Sequence, residues 1–145
     1  MKVILKMENV IKRFNGNLAL DYLSLDVEEG EVIGLLGPNG AGKTTCIKSI
    51  IGLLPVDEGD ITVFGIKQDG KNKSIRSQIG FVTQDVTIYE DMTARENLTF
   101  FGSLYGLEKQ VLKDRTKQVA RIIGLEGRLD DRPKNFSGGM KRRLN

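Results

Sequence analysis

Hydrophobic positions divide the first part of the chain into short, strand-sized runs. Residues 1–11 carry an apolar stretch, and residues 18–27 alternate in part between apolar and polar side chains, as half-buried strands do. Asn15-Gly16 between them is a hairpin-type turn signal. The run Val32–Leu36 is apolar throughout and is bounded by turns, which predicts a buried strand.

Helical patterns begin after this run and alternate with further short strands. Residues 43–53 place isoleucines at helical spacing, and residues 93–105 open with a Thr-Ala-Arg-Glu capping box. Residues 108–123 predict a further helix, and residues 60–64 and 79–83 predict short strands. The alternation indicates an α/β fold with a partly parallel sheet.

Composition restricts the class of protein further. The chain has 145 residues, 39% of them hydrophobic and 28% charged, which fits one globular domain. Its single cysteine, Cys46, cannot form an internal disulfide, so we expect a reducing compartment and a buried thiol. No apolar run approaches the roughly 20 residues of a membrane span, and we expect a cytoplasmic protein.

Charge is distributed unevenly but does not indicate a nucleic-acid partner. Residues 100–145 hold 11 Lys and Arg against 5 Asp and Glu, a net charge of +6, whereas the whole chain carries +3. These basic residues are scattered and have no interleaved aromatic side chains that would stack on bases. They are therefore interpreted as solvated helix faces.

The strongest chemical signal is a glycine-rich segment between the apolar run and the first helix. It matches G-x-x-x-x-G-K-[ST], whose glycines let backbone N–H groups point at phosphates. The following helix adds its positive end, the lysine supplies a full charge, and the threonine hydroxyl can bind Mg²⁺. A dinucleotide-binding fingerprint is excluded, because position 45 is not glycine. The alternative is a glycine-rich turn with a surface lysine. The segment comprises Gly37, Pro38, Asn39, Gly40, Ala41, Gly42, Lys43 and Thr44.

A second glycine-containing segment lies near residue 140. In Phe136–Met140 we expect Ser137 to cap a helix, with Gly138 and Gly139 exposing backbone N–H groups at its start. Such a helix start is a second candidate anion site. An ordinary capped helix is the alternative interpretation of this segment.

Together these segments resemble the nucleotide-binding domain of ATP-binding cassette (ABC) transporters over essentially the whole chain. Residues 37–45, including Thr45, are similar to the Walker A motif, and Phe136–Met140 is similar to the LSGGQ signature. Residues 52–61 are similar to the run after the first helix, and Gln84 takes the place of the Q-loop glutamine. Phe14, 29 residues before Lys43, takes the place of the A-loop aromatic, although it could also be a core aromatic of the first hairpin.

The resemblance implies a fold and an ATP site. The fold is α/β, the P-loop NTPase fold of the ABC type, with an N-terminal antiparallel β subdomain, a helical subdomain and an incomplete core sheet. Residues 1–84 would hold the ATP-binding core and β subdomain, 85–136 the helical subdomain, and 137–145 the start of the signature helix. ATP would bind along residues 37–45. Phe14 would stack on adenine, Lys43 and Gln84 would act in catalysis, and Thr44 and Gln84 would bind Mg²⁺.

Partners are implied in the same way. The signature residues Ser137, Gly138 and Gly139 would act on ATP bound by a second ATP-binding subunit in a head-to-tail dimer. Residues 85–92 would face a separate integral membrane permease. The signature and the segment 100–106 resemble the branch that serves ABC-2-type export permeases. Such a subunit would be peripheral on the inner face of the cell membrane and would bind no nucleic acid.

One expected motif is missing from the sequence. No apolar run followed by Asp-Glu, the Walker B motif, occurs after Gln84, and the chain has no histidine that could serve as the family's switch residue. We therefore expect a C-terminally incomplete domain that binds ATP better than it hydrolyses it, with Val32–Leu36 as an unpaired edge. The alternatives are a soluble, non-transport ABC ATPase and a nucleotide-binding module without hydrolysis.

Overall fold

A computed structural model of the chain describes residues 2–145, which divide into two compact units. The first unit runs to Phe81, and the second covers Val82–Asn145. None of the helices in the described residues combines the length and the apolar character that a membrane-spanning helix needs.

The first unit is built on a four-stranded antiparallel sheet. Strands β1 (Val3–Phe14) and β2 (Asn17–Glu28) form the predicted hairpin, and Asn15 and Gly16 turn the chain with φ of 49° and 84°. These left-handed conformations are what a two-residue hairpin loop requires. Strands β3 and β4 complete the sheet in the order β2-β1-β3-β4, and they span Glu58–Val63 and Ile66–Lys67.

Helix α1 (Lys43–Ile50) follows the glycine-rich segment and contributes Cys46 to the core under the sheet. It is three residues shorter than predicted, because Gly52 adopts φ 75° and takes the chain out of the helical conformation. A short helix α2 (Lys73–Arg76) closes the unit. The core consists of Met7, Val10, Leu20, Cys46, Ile61, Val63 and Ile75.

Two predicted strands do not form, and the prediction of a partly parallel sheet is wrong. Residues 32–36 and 79–83 pair with no strand of residues 2–145, and every pairing among these residues is antiparallel. Val32 and Leu36 are 96% and 95% exposed instead of buried. A parallel strand needs a neighbour from a distant part of the chain, and without one an apolar run has no ladder to join.

The second unit is helical. Helix α3 (Ala94–Ser103) begins with the predicted capping box, in which Thr93 and Glu96 exchange hydrogen bonds. Helix α4 (Lys109–Ile122) lies within one residue of its predicted bounds, and two 3₁₀ turns, Glu126–Arg128 and Pro133–Asn135, lead to α5 (Gly138–Leu144). The core of this unit is Ala94, Leu125, Phe136 and Leu144.

Candidate functional site: a glycine-rich phosphate loop

Backbone conformation defines the loop between β2 and α1. Gly37, Gly40 and Gly42 have φ of 152°, 87° and 83°, a region that side chains other than glycine rarely adopt. The N–H of Ala41 donates to the carbonyl of Pro38 at 3.2 Å, which closes a turn inside the loop. The chain therefore curls tightly immediately before the helix.

Gly42 fixes the loop against the sheet. It is the N-cap residue of α1, and a Cβ at this position would lie 2.2 Å from the backbone carbonyl oxygen of Ala19 in β2. No side chain of residues 2–145 caps this end of the helix. The first N–H groups of α1 therefore remain available to an external acceptor, and the helix dipole favours a negatively charged one.

The Lys43 side chain folds back over the loop. Its ammonium donates to the carbonyl oxygens of Gly37 and Pro38, both at 2.7 Å. Thr44, the next residue, is exposed at the start of the helix. Positive charge, free N–H groups and a hydroxyl are therefore concentrated within a few residues.

This donor set fits a polyphosphate with a bound divalent cation. Backbone N–H groups and an ammonium are ligands for phosphate oxygens, and a threonine hydroxyl suits Mg²⁺, which takes oxygen ligands and commonly shares them with substrate phosphates. The described residues contain no cluster of three or more His, Cys, Asp or Glu side chains that could hold a metal. A cation here would therefore depend on Thr44 together with the phosphates.

Phe14 ends strand β1, where it pairs with Asn17 across the hairpin. Its side chain is 45% exposed, so the alternative of a core aromatic is wrong. The ammonium of Lys12 lies 5.7 Å from the centre of its ring. Lys12 could not be identified from the sequence, because nothing in the pattern marks a lysine of a hairpin as buried.

Gln84 lies in the second unit, in an exposed segment that precedes α3. Its backbone carbonyl accepts a hydrogen bond from Arg142 Nη1 at 2.9 Å, and the carbonyl of Thr83 accepts one from the same atom at 2.6 Å. Arg142 belongs to α5, so the segment that contains Gln84 is connected directly to this helix. No signal in the sequence indicates this connection.

The signature segment forms a capped helix start, as predicted. The Ser137 hydroxyl accepts from the N–H of Met140 at 3.2 Å, and Gly138 and Gly139 are exposed. Phe136 is buried with 6% exposure and packs under Arg128. The aromatic residue thus anchors the segment and leaves the glycine backbone accessible.

The segment between Gln84 and α3 is held by a buried amide. Asn97 is 1% exposed; its Oδ1 accepts from the N–H of Tyr89 at 2.8 Å, and its Nδ2 donates to the Tyr89 carbonyl at 2.9 Å. The Tyr89 ring lies against Phe100 and Phe101, with ring centres 5.3 and 5.9 Å away, and all three rings are partly exposed. The sequence signal for Asn97 is weak, since an asparagine inside a helix more often faces solvent.

Two side chains of the first unit, Asp57 and Cys46, have pKa values shifted from their ordinary ones. The Lys12 ammonium, and after it the N–H of Arg13, lower the pKa of the Asp57 carboxyl by hydrogen bonding. Burial raises the pKa of the Cys46 thiol, which lies 3.8 Å from the sulfur of Met7. Cys46 is therefore an inert core residue, in agreement with the sequence.

Comparison with known proteins connects this geometry to one family. Residues 20–145 match the family described as ABC transporter. Over 142 residues the chain is 42% identical to the linearmycin resistance ATP-binding protein LnrL of Bacillus subtilis and 41% identical to the Nod factor export ATP-binding protein I of Sinorhizobium fredii. These matches cover 98% of the chain and 46% and 41% of the two relatives, so the chain spans about half the length of the curated relatives it matches.

Solved structures give the same result. An ATP-binding subunit of an ABC transporter superposes with a TM-score of 0.84 at 31% identity, covering 97% of this chain and 59% of that one. CbiO1 of Clostridium perfringens, part of the ABC transporter complex cbiONQ, superposes with a TM-score of 0.89 at 26% identity. That match covers 99% of this chain and 59% of cbiO1. These neighbours confirm the predicted α/β fold class of the ABC type. The sheet of the described residues of this chain is open.

Proposed function

Because the chain belongs to the ABC transporter family, we propose that it binds ATP on residues 37–45 as the ATP-binding subunit of an export system. The observation that carries the proposal is the loop itself. Gly42 packs so closely against the carbonyl of Ala19 that no Cβ would fit. The Lys43 ammonium donates to the loop carbonyl oxygens of Gly37 and Pro38 at 2.7 Å. This arrangement presents backbone N–H groups and a positive charge to a polyphosphate.

Each site residue has a defined role in this proposal. Lys43 moves from the neutral carbonyl oxygens of Gly37 and Pro38 to the phosphates, where the acceptor oxygens carry negative charge and the hydrogen bonds are stronger. Thr44 would hold Mg²⁺, which would neutralise phosphate charge in phosphoryl transfer. Phe14 stacks on adenine, since its ring is accessible at the end of the hairpin.

Transport would require further subunits. We assign Ser137, Gly138 and Gly139 to ATP bound by a second ATP-binding subunit, in a head-to-tail dimer. The exposed Tyr89 ring lies on the segment, residues 85–92, that we assign to contact with a membrane permease of the ABC-2 type, and it packs against Phe100 and Phe101 of α3. Support for export comes from the relatives, which are named for Nod factor export and for linearmycin resistance.

A second candidate is a nucleotide-binding module without hydrolysis. Phosphoryl transfer depends on placing a metal and an attacking water in addition to holding the phosphates, so ATP binding and ATP hydrolysis are separate properties. Release of inorganic phosphate from bound ATP, measured on the purified protein, separates the two candidates.

The test of ATP binding uses Lys43→Ala with Lys48→Ala as the matched control. Lys48 lies in the last turn of the same helix and is exposed, so its removal changes the net charge equally without touching the loop. We expect Lys43→Ala to weaken binding of Mg-ATP about 10- to 100-fold, because it removes charge-assisted contacts. Calorimetric titration measures this, and unchanged affinity in Lys43→Ala would contradict the assignment.

A further inference from the structure

A buried lysine lies directly beside the exposed aromatic ring at the end of the first hairpin. Lys12 is 9% exposed, and its ammonium donates to Asp57 Oδ1 at 2.7 Å. The same ammonium lies 5.7 Å from the centre of the Phe14 ring, within the range of a cation–π contact. Lysine is almost never buried unless it is paired, so this contact differs from an ordinary surface salt bridge.

Asp57 is hydrogen-bonded to each of the three residues of β1 that precede Phe14. Its second carboxylate oxygen, Oδ2, accepts from the N–H of Arg13 at 2.6 Å, and its own N–H donates to the carbonyl of Ile11 at 2.9 Å. Three consecutive residues, 11–13, are thus tied to one aspartate. The backbone that carries the Phe14 ring therefore has little freedom to move.

The hairpin end also lies next to the phosphate loop. Phe14 pairs with Asn17, and Ala19, two residues further along β2, presents its carbonyl to Gly42. Two residues of a strand cover about 7 Å, so the backbone of the hairpin end lies close to the loop. We therefore expect the base of a nucleotide bound on the loop to come near Phe14.

We propose that Lys12, fixed by Asp57, positions the Phe14 ring for stacking on a nucleotide base and so sets the part of nucleotide affinity that depends on the base. This inference rests on the proposed ATP site. Lys12 acts through Phe14 and is a positioning residue. Because the ring is already held in place before the ligand binds, less conformational entropy of this side chain is lost on binding. The ammonium on one face of the ring also polarises its π electrons.

The test compares two ligands that differ in the base: Mg-ATP and inorganic tripolyphosphate with Mg²⁺. Lys12→Met keeps the length of the side chain and removes its charge. Lys12→Arg keeps a cation over the ring and should restore affinity. Lys6→Met is the matched control, because Lys6 is also a paired lysine of β1 but its side chain is 43% exposed and its partner is Glu8.

We expect Lys12→Met to weaken ATP binding about 3- to 10-fold and to leave tripolyphosphate binding unchanged. Lys12→Arg and Lys6→Met should bind both ligands as the unchanged protein does. If Lys12→Met does not fold, Asp57→Asn provides the same comparison, because its amide oxygen can still accept from the N–H of Arg13 while the Lys12 ammonium loses its anchor. A loss for ATP alone in this variant supports the proposal.

Three results would overturn the inference. Equal losses for both ligands mean that Lys12 only supports the fold of the hairpin, and no loss for either means that it has no role in binding. Unchanged ATP affinity in Phe14→Ala means that the base is not on this ring. ATP affinity that survives Lys43→Ala would instead refute the proposed ATP site itself, so the two failures are distinguishable.

Discussion

Replacement of Gly42 by alanine tests whether the phosphate loop is held by its contact with the sheet. An added Cβ would lie 2.2 Å from the Ala19 carbonyl oxygen, so the loop and β2 would have to separate by roughly 1 Å. Overpacking of this kind costs about 1–3 kcal/mol. The left-handed conformation of Gly42, with φ 83°, costs an alanine about 1 kcal/mol more.

Gly40→Ala is the matched control for this substitution. Gly40 has nearly the same conformation, φ 87°, but apart from its own atoms and its two chain neighbours no described atom lies within 4 Å of a Cβ placed there. We expect a loss of about 1 kcal/mol in the free energy of unfolding for Gly40→Ala and about 2–4 kcal/mol for Gly42→Ala. Urea titration followed by far-ultraviolet circular dichroism measures both, and calorimetry with ATP should show the larger loss of affinity for Gly42→Ala. Equal midpoints for the two variants would refute the reasoning, because the contact with Ala19 would then carry no energy.

Two further predictions concern polar contacts that hold each unit. Asn97→Ala leaves the N–H of Tyr89 without a partner and removes one of the two donors to the Tyr89 carbonyl, the other being the N–H of Met92. The free energy of unfolding should therefore fall by about 2 kcal/mol, whereas Asn135→Ala at an exposed position should change it little; comparable urea midpoints for the two variants would contradict this. The Asp57 carboxyl has a pKa below its ordinary value because Lys12 hydrogen-bonds it, so its contribution to stability is fully present above about pH 4 and is lost as the pH falls through the lowered pKa. The difference in urea midpoint between the unchanged protein and Asp57→Asn should therefore shrink below pH 4, and a difference that stays constant down to pH 2 would argue against the pairing.

Local signals in the sequence determined several elements of this protein. The Asn15-Gly16 turn, the capping box at Thr93 and the Ser137 cap depend on residues within a few positions of each other, and all three form as predicted. The glycine-rich loop is also specified by residues that are close together in the sequence. Its left-handed glycines and its lysine are specified by one octapeptide, so the candidate site could be located without a structure.

Tertiary structure decided the features that depend on distant partners. The apolar run Val32–Leu36 has the composition of a buried strand, yet it is exposed, because a strand forms only where another strand supplies hydrogen bonds. Lys12 and Asn97 look like surface residues in the sequence and are buried in the fold, because Asp57 and the backbone of Tyr89 satisfy their polar groups. A polar side chain can be buried only when its partners are in place, and those partners lie 45 residues away for Lys12 and in a preceding loop for Asn97.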